Sequence, residues 1–416
     1  MSEAPEPSEW HLVKLKDLLS EPMINGRSVN TRDDGFPVLR LTAIQPGGID
    51  VSEHKGGDWS RDQASPFLIK EGDFLVSRGN GSLDLVGRGA LVRESSIDAA
   101  FPDTMIRIRV RSDVISTAYL SKIWDSPYVR SQIERSVRTT SGIFKVNQKT
   151  LGEIELRVPP LPHQSRISQV LERVDSLRTK RREAIGLLDD LVRSTFLDMF
   201  GAPDPTWSHT TVNDVAKKSK GSIRTGPFGS QLLREEFTDS GISVLGIDNA
   251  VTNEFAWQGR RFITDEKYKK LARYRVYPGD VLITIMGTCG RCAVVPDDIP
   301  IAINTKHLCC ITLDQEKCLP EFLHSYFLMH PDARSYLRRT AKGAIMAGLN
   351  MSIIKDLPIV LPPVEAQRKF VNRVTSVRRV KSACLAHLAE LDALFAALQH
   401  RAFRDEPWLA STAPIV

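Results

Sequence analysis

Three short motifs in this chain have the spacing of reactive sites. Asp265-Glu-Lys267 has the DxK spacing of a metal-dependent nuclease. Cys289-Gly-Arg-Cys292 has the spacing of half a zinc clamp, with His307 and Cys309-Cys310 as the only candidates for the other half. Gly221-SIRT-Gly226 opens like a phosphate loop. Each is incomplete. Asp265-Glu-Lys267 is a tripeptide that chance supplies often. Adjacent cysteines are poor partners for a second clamp, and ITIMGTCGRCAVV and HLCCITL alternate like strands. Free cysteine in such runs behaves as a small core hydrophobe. Pro227, not lysine, follows Gly226, and Gly79-Asn-Gly81 is not continued to GxGxxG. No Asn-Pro-Pro-aromatic motif for amino methylation is present. The expectation is a chain with no catalytic centre and no metal site.

The remaining chemistry is recognition. Gly-rich turns carry Arg78, Asn80, Ser82 and Arg88 in the first half of the chain. In the second half they carry Ser222, Arg224, Thr225, Ser230 and Gln231, with Thr284 and Thr288 further on. Arginine and lysine suit guanine, asparagine and glutamine suit adenine, and serine or threonine serve either. Each taken alone also reads as an ordinary solvated loop residue. A second set lies in Thr139-TSGIFKVN and Lys342-GAIMAGLN: Lys145, Asn147, Lys342 and Asn350 would reach phosphate or base. Asn147 and Asn350 equally suit the capping of local turns. Arg178-Thr-Lys180-Arg181-Arg182 reads first as a solvated helix face, and otherwise as a face toward DNA or an acidic partner.

These residues sit in a chain that states one pattern twice. An offset of 203 superposes Asn147 on Asn350, Pro159-Pro160 on Pro362-Pro363, Gln164 on Gln367 and Asp189 on Asp392. A repeat of that length means two copies of one globular unit rather than a solenoid. Each copy opens with a tryptophan, Trp10 or Trp207, then a Gly-rich polar stretch. Gly72-Asp73-FLVS and Gly279-Asp280-VLIT each precede a second apolar run, Gly89-ALV or Cys292-AVV. Short runs bounded by glycine and proline predict strands joined by tight turns, and a helical segment follows in each copy. The expected fold is therefore α+β, with two similar mixed α/β units.

Each copy ends in a long helical stripe. Ile167, Val174, Leu177, Leu188 and Leu191 mark the first. Phe370, Val377, Leu388, Leu391 and Phe395 mark the second. Their three-and-four spacing is that of a coiled coil, interrupted near the middle by Arg181 and Lys381. Antiparallel pairing buries both stripes most simply and predicts a pseudo-two-fold arrangement with the units at opposite ends of a rod. At about 1.5 Å per residue the first helix is about 57 Å long. The expected boundaries are 1–160, 161–204, 205–361 and 362–416. A net charge of +6 raises the prospect of a polyanionic partner. No run of 18 apolar residues is present, and MSEAPEPSEW lacks the pattern of a secretory signal. The expected location is the cytoplasm, where the six cysteines stay reduced.

Taken together, these features resemble the specificity subunit of type I restriction–modification systems. The segments LGEIELRVPPLPHQSRI and IIKDLPIVLPPVEAQRKF carry the resemblance most specifically, with the Gly-Asp-aliphatic motifs and Gly221-SIRTGPFGS-Gln231. The family commonly has glutamate before the glutamine, where His163 and Ala366 stand here. The resemblance implies two target recognition domains, each reading half of a gapped double-stranded DNA target. It implies that the helices act as spacer, and that two methylation subunits and nuclease/translocase subunits dock. S-adenosylmethionine, ATP and Mg would then belong to those partners and no cofactor to this chain. Two other readings stay open: a free-standing DNA-modifying or DNA-cleaving enzyme, and a scaffold with degenerate reader domains.

Overall fold

The structure, a computed structural model, describes residues 10–93, 97–140, 142–202, 204–341 and 348–403. It divides into two units. Unit one holds the chain up to Arg182 together with the chain from Ala386, and unit two holds Glu183–Leu385.

In unit one the run Phe74–Ser77 is buried along its whole length, as expected for a central strand. It lies in a four-stranded antiparallel sheet ordered Ile24–Asn25, Met105–Ile108, Phe74–Ser77, Gly89–Leu91. The helices Thr117–Trp124 and Pro127–Ser136 cover it. Their N-caps, Ser116 and Ser126, accept from the amides of Tyr119 and Val129, and Pro127 suits the first helical turn, where no amide bond is lost. Trp124 meets Phe74 edge-on at 5.4 Å. The strand His11–Lys14 pairs with Glu155–Val158, the strand that leads into the first long helix. Ile167 and Leu171 of that helix, and Ala402 and Phe403 at the end of the second, complete the core.

Unit two repeats the frame. Its sheet is ordered Ile223–Thr225, Leu308–Ile311, Val281–Thr284, Cys292–Val294. The strand Ser208–Thr211 pairs with Pro358–Leu361, again the strand before a long helix. A second sheet, ordered Phe262–Ile263, Ile242–Leu245, Ala302–Asn304, Arg275–Val276, contains one parallel pair. The matching part of unit one holds two two-stranded pairs, Thr31–Leu39 with His54–Gly57 and Ile44–Gln45 with Gly48–Ile49. Phe196 and Phe200 close the core against Phe322 and Phe370, with ring centroids 5.2–6.2 Å apart.

The long helices span Leu161–Phe200 and Val364–Ala402. Each is fastened to its own unit by a fully buried glutamine. Gln164 accepts from Ser116 N at 2.8 Å and donates to Val114 O at 2.8 Å and Pro159 O at 2.7 Å. Gln367 accepts from Leu319 N at 2.8 Å and donates to Lys317 O at 2.9 Å and Pro362 O at 2.8 Å. All three partners in one unit stand 203 positions from those in the other.

Within each unit the helical segments run antiparallel. In unit one Arg178 bonds Asp392 at 2.6 Å and Arg181 meets His387 at 2.7 Å. In unit two Lys381 bonds Asp189 at 2.6 Å while Phe196 meets Phe370. The two polar interruptions of the stripes are therefore cross-helix polar contacts. Ile167, Val174, Phe370 and Leu391 are buried, and Leu188, Val377, Leu388 and Phe395 are half-buried. Leu177 and Leu191 are corrections: both are 47% exposed. The buried line steps from Val174 to Arg178 and from Leu188 to Val192, keeping the 3.6-residue period. Arg178 takes the inward position with its guanidinium 4.3 Å from the Phe395 ring centroid, so an arginine stem does what an apolar side chain was expected to do.

Candidate nucleic-acid interface

One turn recurs in both units and carries most of the expected contacts. In unit one Ser77 N donates to Arg88 O at 2.7 Å, Gly87 N to Ser77 O at 2.8 Å and Arg78 N to Thr104 O at 2.8 Å. In unit two Thr284 N donates to Arg291 O at 2.9 Å, Gly290 N to Thr284 O at 2.9 Å and Ile285 N to His307 O at 2.9 Å. Gly87 has φ +70, and a β-carbon there would sit 2.5 Å from Ile133 Cγ2. Only glycine satisfies both demands. Trp124 Nε1 donates to Gly87 O at 2.9 Å, tying the turn to the buried core.

The side chains between these anchors differ. In unit one Arg78 is half-buried and donates to Asp103 O at 3.2 Å. Asn80 Oδ1 accepts from Ser82 N at 3.0 Å, which shapes the turn. Arg88 is exposed and braced by Asp84 O at 2.8 Å. In unit two the equivalent of Arg78 is Ile285, which is buried. Arg291 stands where Arg88 stands and is exposed. Sequence reasoning missed Arg291, although Gly87-Arg88-Gly89-ALV and Gly290-Arg291-Cys292-AVV align at the same offset of 203.

Burial corrects two expected contacts. Thr284 is fully buried, its hydroxyl donating to Thr288 O at 2.5 Å and accepting from Arg291 N at 2.9 Å. It holds the turn together and presents nothing outward, while Thr288 is exposed. Arg224 is 8% exposed and bonds Asp280 at 2.6 Å, Thr312 Oγ1 at 2.9 Å and Gly221 O at 3.1 Å. Burial works against its charge, but Cys310 and Asp280 outweigh that and hold its pKa above the usual value. Such a guanidinium is committed to the fold.

Asn147 and Asn350 are helix N-caps. Asn147 Oδ1 accepts from Thr150 N at 2.9 Å and Asn350 Oδ1 from Ile353 N at 2.9 Å. Lys145 is exposed on the strand Ile143–Lys145. Lys342 lies outside the described residues. Thr225 is half-buried on a sheet strand, and Ser230 is exposed. Gln231 accepts from Tyr274 Oη at 2.8 Å and Arg273 at 3.2 Å. Ser222 lies on a cleft of about 1230 Å³ whose walls include Lys217, Lys220, Arg273, Tyr274 and Arg368. Burial, with lesser contributions from Lys306 and Arg261, lowers the pKa of His307 beside the unit-two turn.

The reactive-looking motifs lie within ordinary secondary structure. Asp265 and Glu266 open a helix capped by Thr264, and Lys267 bonds Glu236 at 2.5 Å. Cys292, Cys309 and Cys310 are fully buried in sheet strands, and burial pushes the Cys309 thiol up to about 12. Among the described residues no group of three metal-ligating side chains assembles, and no helix is long and apolar enough to cross a membrane. Of the mid-helix basic run, Arg178 and Arg182 bond Asp392 and Arg181 meets His387.

Two copies of one frame, each fastened to a long helix and each presenting an arginine-bearing turn, define a tandem-domain recognition protein. The family model described as type I restriction modification DNA specificity domain matches residues 7–186 and again 206–390. The chain belongs to that family, the type I restriction–modification specificity subunits. It is 23% identical over 415 residues to the type I restriction enzyme EcoBI specificity subunit of Escherichia coli, covering 91% of this chain and 81% of that one. It is 20% identical over 397 residues to the MjaVIII specificity subunit of Methanocaldococcus jannaschii, covering 89% and 86%. To the EcoKI specificity subunit of Escherichia coli it is 26% identical over 203 residues, and the match spans 47% of this chain and 43% of that relative. The fold is similar to the S subunit from M. genitalium, with TM-score 0.58 and 13% identity over 95% of this chain and 96% of that one. It is also similar to a chain solved in work on complex assembly and conformational transition of the type I R-M system, with TM-score 0.55 and 19% identity over 97% and 99%.

Proposed function

We propose that this chain is the DNA-reading subunit of a type I restriction–modification complex, with each unit reading one half of a gapped, asymmetric double-stranded target. It is not itself an enzyme. Two methylation subunits dock on it, with nuclease/translocase subunits in the full complex, and S-adenosylmethionine, ATP and Mg act on those partners in the cytoplasm. The long helices hold the half-sites at one spacing, as subunit geometry does in dimeric DNA-binding proteins. The contact set carried forward is Arg78, Asn80, Ser82, Arg88 and Lys145 in unit one. In unit two it is Ser222, Thr225, Ser230, Gln231, Thr288 and Arg291.

One observation carries this reading: the same hydrogen-bonded turn is kept in both units while the residues on it change, the half-buried Arg78 and Asn80 standing where unit two has the buried Ile285 and the exposed Gly287. A conserved frame with divergent tips suits two readers of different sequences. Mapping N6-methyladenine genome-wide in cells with and without the chain tests it. The expected result is loss of one asymmetric gapped motif. Loss of a contiguous palindrome, or of no motif, overturns the proposal.

A further inference from the structure

Unit one carries a small sheet beside the repeated frame. The strands Arg138–Thr140 and Ile143–Lys145 form an antiparallel hairpin, and Gly79–Asn80 pairs with its second strand. Arg138 lies directly opposite Lys145, and Lys145 lies opposite Gly79. Like charges directly opposite across an antiparallel pair are destabilising. Both side chains are exposed, and among the described residues neither is paired with an acid. An anion between them would turn this repulsion into attraction.

Strand alternation divides the sheet into two faces. Phe144 turns inward and packs on the unit-one core. Arg138, Lys145 and Ile143 share the other face, and Ile143 is 43% exposed near the hairpin tip. Gly79 leaves that face bare: a β-carbon there would meet Lys145 Cγ at 3.5 Å and Ile143 Cγ2 at 3.8 Å. Gly142, with φ +76, closes the turn. The result is a hairpin ribbon, flanked at its base by Gly79–Asn80, with an apolar residue near its tip and two cations at its base. The major groove of DNA, about 12 Å wide, admits such a ribbon, and thymine presents there the one apolar group among the base edges.

Resting on the DNA-reading function proposed above, we propose that this hairpin enters the major groove of the half-site read by unit one. Ile143 packs against the 5-methyl group of a thymine and sets specificity there. Arg138 and Lys145 clasp one backbone phosphate and set the depth of insertion.

The test uses the full chain assembled with its methylation subunits and duplexes carrying the mapped motif. Each thymine of the unit-one half-site is replaced in turn by uracil, which lacks only the methyl group. At one position the wild-type complex is expected to lose about fourfold in affinity, the transfer of one buried methyl group. Ile143→Ala should be indifferent at that position and unchanged at the others. The double variant R138A/K145A should weaken binding to all sequences alike and lower the slope of log affinity against log salt by about 0.9, one phosphate. The hairpin proposal falls if Ile143→Ala responds to every uracil as wild type does, if the half-site contains no thymine, or if R138A/K145A leaves the salt slope unchanged. In those cases wild-type selectivity for the gapped motif persists and the wider function stands. A wild-type complex with no selectivity for the motif overturns both.

Discussion

The two units solve one buried-charge problem with different strands. In unit one Asp73 is held by Arg109 through Nε at 2.5 Å and Nη2 at 3.0 Å, and Arg109 directly follows the sheet strand Met105–Ile108. In unit two the position 203 residues later is Thr312, which donates to Asp280 Oδ1 at 2.6 Å. The arginine now comes from the neighbouring strand as Arg224, at 2.6 Å. A carboxylate this deep needs a cation and hydrogen bonds, but either of two adjacent strands can supply them. The glutamine anchors did not drift in this way. Gln164 and Gln367 each meet three backbone groups whose positions are set by the frame, so a replacement would need three new partners at once. Constraint follows the number of fixed partners, and the turn tips, with few, diverged most.

The sharpest way to break this comparison is to remove the two aspartates. Asp280→Ala strands Arg224 in a buried site and should cost about 3–5 kcal/mol, read as lost hydrogen-exchange protection in unit two. Asp73→Ala should cost less, because Arg109 is 21% exposed against 8% for Arg224. A larger loss from Asp73→Ala would show that the pairs are not equivalent.

The glutamines should behave alike. Gln164→Ala and Gln367→Ala each leave an amide and two carbonyls buried without partners, a cost of about 2–4 kcal/mol at about 1–3 kcal/mol per unsatisfied group with partial relaxation. Values differing by more than about 1 kcal/mol between the two would show that one anchor is redundant.

The tips should separate cleanly. Arg88→Ala should relax the methylation motif in one half-site and Arg291→Ala in the other, each by about 1–3 kcal/mol of base discrimination. If both variants change the same half-site, the equivalence of the two turns is wrong.

The smallest effect distinguishes the units by pH. Unit two buries His324 and His330, while the described part of unit one buries no histidine. Burial lowers the pKa of both, against backbone hydrogen bonds from each ring and, for His330, the pull of Asp332. His324 Nε2 donates to Asn253 O at 2.8 Å and His330 Nε2 to Phe200 O at 3.2 Å, both as neutral rings. With folded pKa values depressed, the unfolded chain binds protons first as pH falls. Stability is fully present above about pH 6.5 and declines below it, by at most about 1.4 kcal/mol per pH unit per histidine. Hydrogen exchange at pH 7.5 and 5.5 should show unit two loosening more than unit one.

Much of this was legible in the residues. The offset of 203 exposed the repeated frame, the two glutamines and the long helices, because buried positions with fixed partners keep their identity and spacing. Arg291 was legible too, one residue before the aligned run Cys292-AVV already in view. Other features left no local mark. Arg224 sits in a Gly-rich polar stretch that reads as a loop, and its burial depends on Asp280, 56 positions away. Leu177 looked like a stripe residue and Arg178 did not, since apolar spacing ignores a long arginine stem. Arg138 has a cation opposite it only once the hairpin register is known.

The sequence by itself determined that there are two copies of an α+β unit, that each is followed by a long helix, and which turns carry polar side chains. Local periodicity, glycine and proline placement and self-similarity are properties of neighbouring residues, so they survive without coordinates. Tertiary structure alone decided which of those polar groups face outward. Burial is set by what distant strands bring alongside, and it converted Arg224 and Thr284 into supports while leaving Arg88, Arg138 and Arg291 at the surface.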